Sequence, residues 1–573
     1  MTTFGLQVLG TSVFVPRALA RGFAVWVAVV TVAGCECAPA RSKPWRHAVP
    51  PSAAEVPSTI GPVLDGEKER MAALAARGDT FTVWLDGDPR SLLPMVDPTE
   101  WTERIALDTV FETLLVYRPG EGDQAPGGYQ PALAKSWRVV DGGRSLAIDL
   151  EPDVEFHDGG KLTSVDVQFS LDAARSPRTG ADHLRAGLAS VSAVELAGPR
   201  GVRIYLHRPD ANLLRALAAV PILPARVYQS RLRGGPGAPV IGTGPYKLES
   251  ADAAGNVALV RFDRYRGAKP AIRRIAFRRE GDAARALGML RSGEIDFIPA
   301  LIAAHYPAQA QAPRVATELA PVRLRPPAFR YLVLNARKPP FDDPQARCAL
   351  SLAIDRPLLV AKRRGLARAV GGPVWPGGPG DGPERAAPAH DAAGAARLLE
   401  AAGWHDQDGD GVRARGTRRL LLTVLVSDRE DAERDAVLEE LRDAGFVLDT
   451  REGSVGVLDN RLASGRFDLA FAEWRGDAGS DLAPLFATGG SKNFGGFSDP
   501  RVDAVFATLR EAWEPAARWS AMKQLGDLLA ETCPIIPLTA PDPYGLVSRR
   551  VNGVAVQSGW IALPALSLAP AAK

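Results

Sequence analysis

Asp406, Asp408 and Asp410 stand at alternate positions before Gly411, the pattern with which a calcium-binding loop opens. A carboxylate at every second residue of a tight turn gathers oxygens around a hard cation, and a bidentate Glu at the twelfth position completes the shell. Here that position is Thr417, and no helix pattern flanks both sides, so the segment reads first as a polar turn and second as a weak metal site. The seven histidines fall singly, with no two at ligand spacing, and predict no zinc site. Glu473 and Asp477 have the residue types for acid and base work on a glycan. Acidic pairs are also common on solvated faces. A phosphate loop, a dinucleotide fingerprint, an H-E-x-x-H helix and a nucleophile elbow are all missing from the sequence. Gly160-Lys161 lacks the upstream glycine and the following Ser or Thr. These residues offer binding without catalysis or a cofactor.

The first 34 residues contain no acidic residue, carry Arg17 and Arg21, run apolar from Phe23 to Val32, and close on Ala33, Gly34 and Cys35. That is the layout of a secretory signal, and the apolar run is short for a membrane span. Val32-Ala33-Gly34-Cys35 resembles a bacterial lipobox, which implies diacylation of Cys35 as the first mature residue. A plain secretory signal or an uncleaved anchor are the alternatives, and each also exports the chain. Residues 35–78 read as a tether rich in Ala, Pro and Ser, followed by a short helix at Asp65–Ala76. The expected localisation is therefore extracytoplasmic, facing the periplasm and lipid-anchored.

At 573 residues the chain has room for two or three domains, and 46% apolar with 24% charged residues is ordinary for a folded protein. Setting aside Arg17 and Arg21 leaves 67 basic against 66 acidic residues, which gives no reason to expect nucleic acid or anionic lipid as a partner. Four cysteines are few for an exported protein. With Cys35 acylated and Cys37 in the tether, Cys348 and Cys533 remain; the compartment permits a bond, but their context favours burial as small apolar side chains.

Strand and helix patterns alternate along the body, as in an α/β fold. Strands are expected at Thr80–Leu85, Ser145–Leu150, Val191–Leu196, Val257–Phe262, Ile272–Arg278, Arg330–Asn335, Leu420–Val426 and Phe467–Phe471. Helices are expected at Ile105–Tyr117, after a Thr163/Asp166 capping box, at Asp282–Arg291 before Gly293, from Asp343-Pro344, and at Glu430–Ala444, Pro500–Glu511 and Ala517–Glu531. Two α/β lobes fit this succession better than a solenoid. His157, in the turn Phe156–Gly160, is expected to be structural.

Several blocks in order resemble the extracellular solute-binding proteins of family 5, which serve bacterial ABC importers. They are PALAKSWRVVDGG with LEPDVEFHDGGKLTSVDVQFSLDAAR between Pro131 and Arg175, Ile241–Tyr246 (IGTGPY), Tyr265-Arg266-Gly267 through Leu290–Asp296, and Asn335 with Pro340–Asp343 and Ala353–Arg356. Gly403-Trp404, Phe494–Asp503 and Pro534–Leu538 continue the likeness. It covers roughly residues 80–555. The resemblance implies the two-lobed periplasmic binding protein type II fold with an additional domain inserted in the first lobe. Lobe I would comprise 79–122, 236–320 and 536–573, the inserted domain 123–235, and lobe II 321–535.

The same resemblance implies a monomer that captures peptides or similar amine-bearing solutes between closing lobes and delivers them to permease subunits. The alternative is the same fold with a metal chelate, glycan or opine-like cargo. Ala472–Asp477 resembles the family's G-W-x-x-D segment, in which the Asp pairs with the α-amino group of a peptide. Asp477 is accordingly the expected ligand residue and Trp474 an apolar wall; Asp477 as a helix cap and Trp474 as core are the open alternatives. A basic side chain in the pocket, Arg475 or Arg330, would favour an acidic cargo. Trp375, in a Gly/Pro-rich loop, faces the cleft or stiffens the surface. Ser480-Asp481 replaces the family's Asp-Pro-Asp, and Ser91–Pro94 (SLLP) its S-L-D-P.

Overall fold

The computed structural model describes residues 77–569 apart from 90, 108, 119–126, 231, 233–236, 373–384, 477–480 and 558. All of them belong to one compact unit, Leu64–Lys573. The signal, Cys35, Cys37, the tether and the expected helix at Asp65–Ala76 lie outside the described residues, as do Trp375 and Asp477. Among the described residues no helix is long and apolar enough to cross a membrane.

A seven-stranded mixed sheet is gathered from distant parts of the chain, in the order 319–323, 544–548, 297–298, 80–85, 274–279, 257–261, 246–251. Thr80–Leu85 runs parallel to Arg274–Arg279, with Thr80 opposite Arg274 and Leu85 opposite Arg279. Its near-continuous apolar sequence suits a strand covered on both faces. Phe81, Val83 and Leu85 enter one core while Trp84 enters another on the opposite face, as the period of two requires.

A second sheet has the order 447–453, 421–427, 469–475, 328–334, 535–537. Ala328–Leu334 lies within it, sending Phe329, Tyr331 and Val333 to one core and Leu332 and Leu334 to the other. Helices on both faces are started where the sequence places caps. Asp282, Asp343 and Asp499 accept the backbone N–H groups of Ala284, Gln345 and Arg501, and Gly293 (φ +80°) ends Ala283–Ser292. A four-stranded antiparallel sheet, ordered 134–140, 145–150, 201–206, 191–196, lies between the first and later strands of lobe I in sequence. This is the α/β, two-lobed binding-protein fold with its extra domain.

Two strand pairings fall at the expected lobe limits. Leu319–Arg323 pairs along its length with Tyr544–Ser548, so the chain stays in the first sheet past residue 320. Ile535–Pro537 pairs with Tyr331–Val333, so the return to lobe I comes after 536. Both crossings meet at Arg323. Its guanidinium donates to the carbonyls of Asp542 (2.7 Å) and Gly365 (3.2 Å) and to Tyr306 Oη (3.0 Å).

Two expectations are corrected. Ile105–Tyr117 is not one helix: the helix is Glu100–Ala106, and Leu115–Arg118 is a strand. Residues 109–111 instead receive the IGTGPY block, with Gly244 N donating to Val110 O (3.0 Å) and Tyr246 N to Thr109 O (2.9 Å). A Cβ on Gly242 or Gly244 would lie 1.9 Å from Val110 O or 2.3 Å from Thr109 O, which is why glycine stands at both. Tertiary pairing overrides local apolar periodicity there.

Cys348 and Cys533, expected as free buried thiols, form a disulfide with Cα atoms 5.3 Å apart across a sequence separation of 185. Helix Pro344–Ala353 packs against the end of helix Pro515–Thr532, where Arg347 Nε donates to Thr532 O (2.9 Å). That contact, invisible in the local sequence, brings the two sulfurs together.

His157 joins the F-H-D-G turn to the IGTGPY block. Its backbone N–H donates to Gly242 O (2.9 Å), its Nδ1 accepts from Gly242 N (3.3 Å), and its Nε2 lies 3.0 Å from Gly244 O. This pattern selects the neutral ring with the proton on Nε2. Burial pushes its pKa down to about 4. The unfolded chain then binds the proton more readily than the folded one below the ordinary value, 6.5, so stability falls as pH drops through 6.5 toward about 4. Urea unfolding at pH 7 and pH 4 is expected to show this loss, roughly 2–3 kcal/mol, and His157→Gln should remove that pH-dependent component.

Candidate ligand cleft

The strand Leu469–Arg475 positions the expected cargo segment. It pairs antiparallel with Ala328–Leu334, Arg475 opposite Ala328 and Glu473 opposite Arg330, and Gly476 N donates to Pro327 O (2.9 Å). The strand end is thus tied to the crossing between the lobes, and residue 477 follows directly. Strand alternation separates the neighbours. Glu473 and Arg475 are exposed, whereas Trp474 is 7% exposed and packs with Phe329, Leu482, Leu485 and Phe486. Of the two readings open for it, apolar wall or core, Trp474 therefore takes the place of a core residue. Lys492 Nζ lies 4.8 Å from its ring.

Arg475 reaches across to lobe I. Its Nε pairs with Glu473 (2.6 Å) and its Nη1 lies 3.8 Å from Glu100 Oε2, in the first turn of helix Glu100–Ala106. Behind Glu100, Trp101 donates to Asp86 (2.7 Å), and the Arg104 guanidinium stacks over Trp560 (4.4 Å) and Trp101 (5.2 Å). Burial lowers the Arg104 pKa, against the opposing charge of Glu100. These lobe I residues escaped sequence reading because Trp560 arrives from the far end of the chain. The Thr99 cap and acidic first turn before Trp101 were the available local signal.

Arg330 is fully committed. It pairs with Asp431 and with Glu433, which is 0% exposed and also accepts Thr539 Oγ1 (2.7 Å). Burial alone would lower the Arg330 pKa, but the two carboxylates outweigh it and hold it above its ordinary value. Neither Arg330 nor Arg475 is a free cation.

Asp406, Asp408 and Asp410 do converge, with ligand oxygens within 4.8 Å, and all three are exposed. Asp406 accepts Gly409 N (2.9 Å) and Gly411 N (3.1 Å), and Asp410 accepts Val412 N (2.9 Å) and pairs with Arg419 (2.5 Å). The turn uses its carboxylates on its own backbone and on one guanidinium, the arrangement of a polar turn.

Arg475 of the second sheet thus meets Glu100, of the helix after the first strand, beside the two chain crossings that connect the sheets. Residues 128–496 match the model of the bacterial extracellular solute-binding proteins, family 5, and the chain belongs to that family. It is similar to a probable di/tripeptide-binding protein 5 of Pseudomonas aeruginosa, 27% identical over 85% of this chain and 95% of the relative. It is also similar to a glutathione-binding protein of Shigella dysenteriae, 26% identical over 74% of this chain and 82% of the relative. In fold it resembles HbpA2 of Haemophilus parasuis, with a TM-score of 0.72, 19% identity, and coverage of 86% of this chain and all of that one.

Arg330→Ala is expected to destabilise the protein by about 2–4 kcal/mol, because it leaves the buried Glu433 charge with only the longer pair to Arg363 (3.7 Å). Arg475→Ala should change stability by less than about 1 kcal/mol, since its partners are solvated. Denaturant unfolding of the two variants checks the contrast.

Proposed function

We propose that this protein captures peptides or similar amine-bearing solutes between its two lobes and presents them, as a lipid-anchored monomer outside the cytoplasm, to permease subunits of an importer. The observation that carries the reading is the spent state of the cleft cations. Arg330 is paired with Asp431 and Glu433, and Arg475 with Glu473 and at longer range with Glu100, so neither arginine of this strand pair is left over for an acidic cargo, although Lys492, with its Nζ 4.8 Å from the Trp474 ring, stays beside the strand. A carboxylate at Asp477 then meets an ammonium in a closing, partly desolvated cleft, where charge-assisted hydrogen bonds gain strength. The names of the di/tripeptide-binding and glutathione-binding relatives support a peptide-like cargo with a free α-amino group. Arg475 acts as a lobe-bridging residue in this reading, and Trp375 lines the cargo space. The division follows the expected one, lobe I at 79–122, 236–320 and 536–573, lobe II at 321–535 and the inserted domain at 123–235, except that strand pairing extends lobe I to Arg323 and lobe II to Pro537. The turn at Asp406–Asp410 takes no part.

Calorimetric titration of the purified, ligand-stripped protein with a pool of di- to pentapeptides should give saturable heat. Asp477→Ala should weaken binding by tenfold or more, about 1.4 kcal/mol. No heat with any peptide from a folded, empty protein would move the cargo to a non-peptide class. Metabolic labelling with radioactive palmitate should mark the wild-type protein in the membrane fraction, and Cys35→Ala should carry no label; label retained in the variant would refute the anchor.

A further inference from the structure

A cavity of about 470 Å³ separates the inserted domain from lobe II. Its walls carry Ser190, Arg208 and Asp210 on one side and Asp481 and Arg510 on the other. The walls are held together by Ala211 N donating to Arg510 O (2.6 Å) and by Arg518 donating to Asn212 Oδ1 (3.2 Å). Leu482 and Met522 form part of this lining and also of a second, mainly apolar cavity inside lobe II.

Asp210 and Asp481 come from different parts of the chain and act on each other as like charges. Each accepts one local backbone N–H, Asp210 from Asn212 (3.2 Å) and Asp481 from Ala483 (2.9 Å). Among the described residues neither forms an ion pair with a Lys, Arg or His. Burial first, and then the charge of Asp481, holds the Asp210 carboxyl above the ordinary carboxylate range. Ser190, 6% exposed, lies toward Asp210 with its hydroxyl short of hydrogen-bond geometry. Arg208, in contrast, is exposed and solvated. The cavity thus offers two carboxylates without an ion pair and, beside them, the guanidinium groups of Arg208 and Arg510, the charge of Arg208 already pulling the Asp210 carboxyl the other way.

We propose that the cavity is a subsite for an alkylammonium group, held between Asp210 and Asp481, on an amphoteric solute whose carboxylate turns to Arg208 and Arg510. An ammonium there relieves the repulsion of the two carboxylates and supplies three donors where Ser190 and the carboxylates offer acceptors. Because the two aspartates stand on opposite walls, the bound cation also bridges the inserted domain to lobe II. The subsite goes beyond the cargo reading and does not require Asp477.

The test is calorimetric titration of the full chain with 1,5-diaminopentane and with its neutral analogue 1,5-pentanediol. Wild type, Asp210→Asn, Asp481→Asn and Asp477→Ala are compared, with thermal unfolding of each variant to show that it is folded. The expected result is saturable binding of the diamine, none of the diol, and weakening of roughly tenfold or more in each of the two cavity variants, the size expected for one charged hydrogen bond. If one cavity variant does not fold, the other carries the comparison. Absence of diamine binding, equal binding of the diol, or diamine binding that survives both cavity substitutions overturns the proposal. Loss confined to Asp477→Ala also overturns it and assigns the amine to the main cleft, leaving the cargo reading intact.

Discussion

The buried carboxylate of Asp296 ties the first lobe together. It accepts Thr82 N (2.8 Å) and both Nε (2.7 Å) and Nη2 (3.0 Å) of Arg550, and it pairs with Arg77, while its backbone N–H donates to Thr82 O (2.8 Å) and its carbonyl accepts Ser548 N (2.7 Å). Segments from the start, middle and end of the described chain thus converge on one residue that is 0% exposed. A charge buried this deeply is tolerable only when its hydrogen-bonding capacity is filled. The same pairing fixes where Tyr544–Ser548 returns to the sheet, and hence where the second crossing between lobes must lie. Arg323 then gathers both crossings, so the hinge region inherits its position from the sheet behind it.

Lobe II is organised differently, around a sheet with a core on each face. The pairing of Ala328–Leu334 with Leu469–Arg475 carries the chain from the first crossing straight into the cargo segment, in a register that turns Trp474 inward and Glu473 and Arg475 outward. The Cys348–Cys533 bond holds helix Pro344–Ala353 to the end of helix Pro515–Thr532 beside this sheet. Closing a loop of that length restricts the unfolded chain most, and an oxidising compartment lets the bond persist.

Electrostatics separates structural from available charge. Arg330, Arg475 and Arg323 are occupied by carboxylates, carbonyls or hydroxyls, and Arg347 and Arg356 are buried against backbone carbonyls. Asp210 and Asp481 are the contrasting case, carboxylates that line a cavity and form no ion pair among the described residues. In the cavity the carboxylates of Asp210 and Asp481 stand together with the guanidinium groups of Arg208 and Arg510, so the charges present suit a guest that carries both an ammonium and a carboxylate.

By itself the sequence determined the alternating α/β elements, the helix starts at Asp282, Asp343 and Asp499, the stop at Gly293, and the family, since these rest on local chemistry and on ordered motif blocks. It also marked the strand leading to Asp477. Tertiary structure alone decided the pairing of Leu319–Arg323 with Tyr544–Ser548, the Cys348–Cys533 bond, the meeting of Arg475 with Glu100, the stacking of Arg104 on Trp560, and the facing of Asp210 by Asp481. It also turned Ile105–Tyr117 from an expected helix into a shorter helix and a strand that pairs elsewhere, because glycines at 242 and 244 let another backbone approach. The reason is common to all of them. Caps and periodicity act within a turn or two of the chain, whereas these contacts join residues that only the packing of distant segments brings within hydrogen-bonding or Coulombic reach.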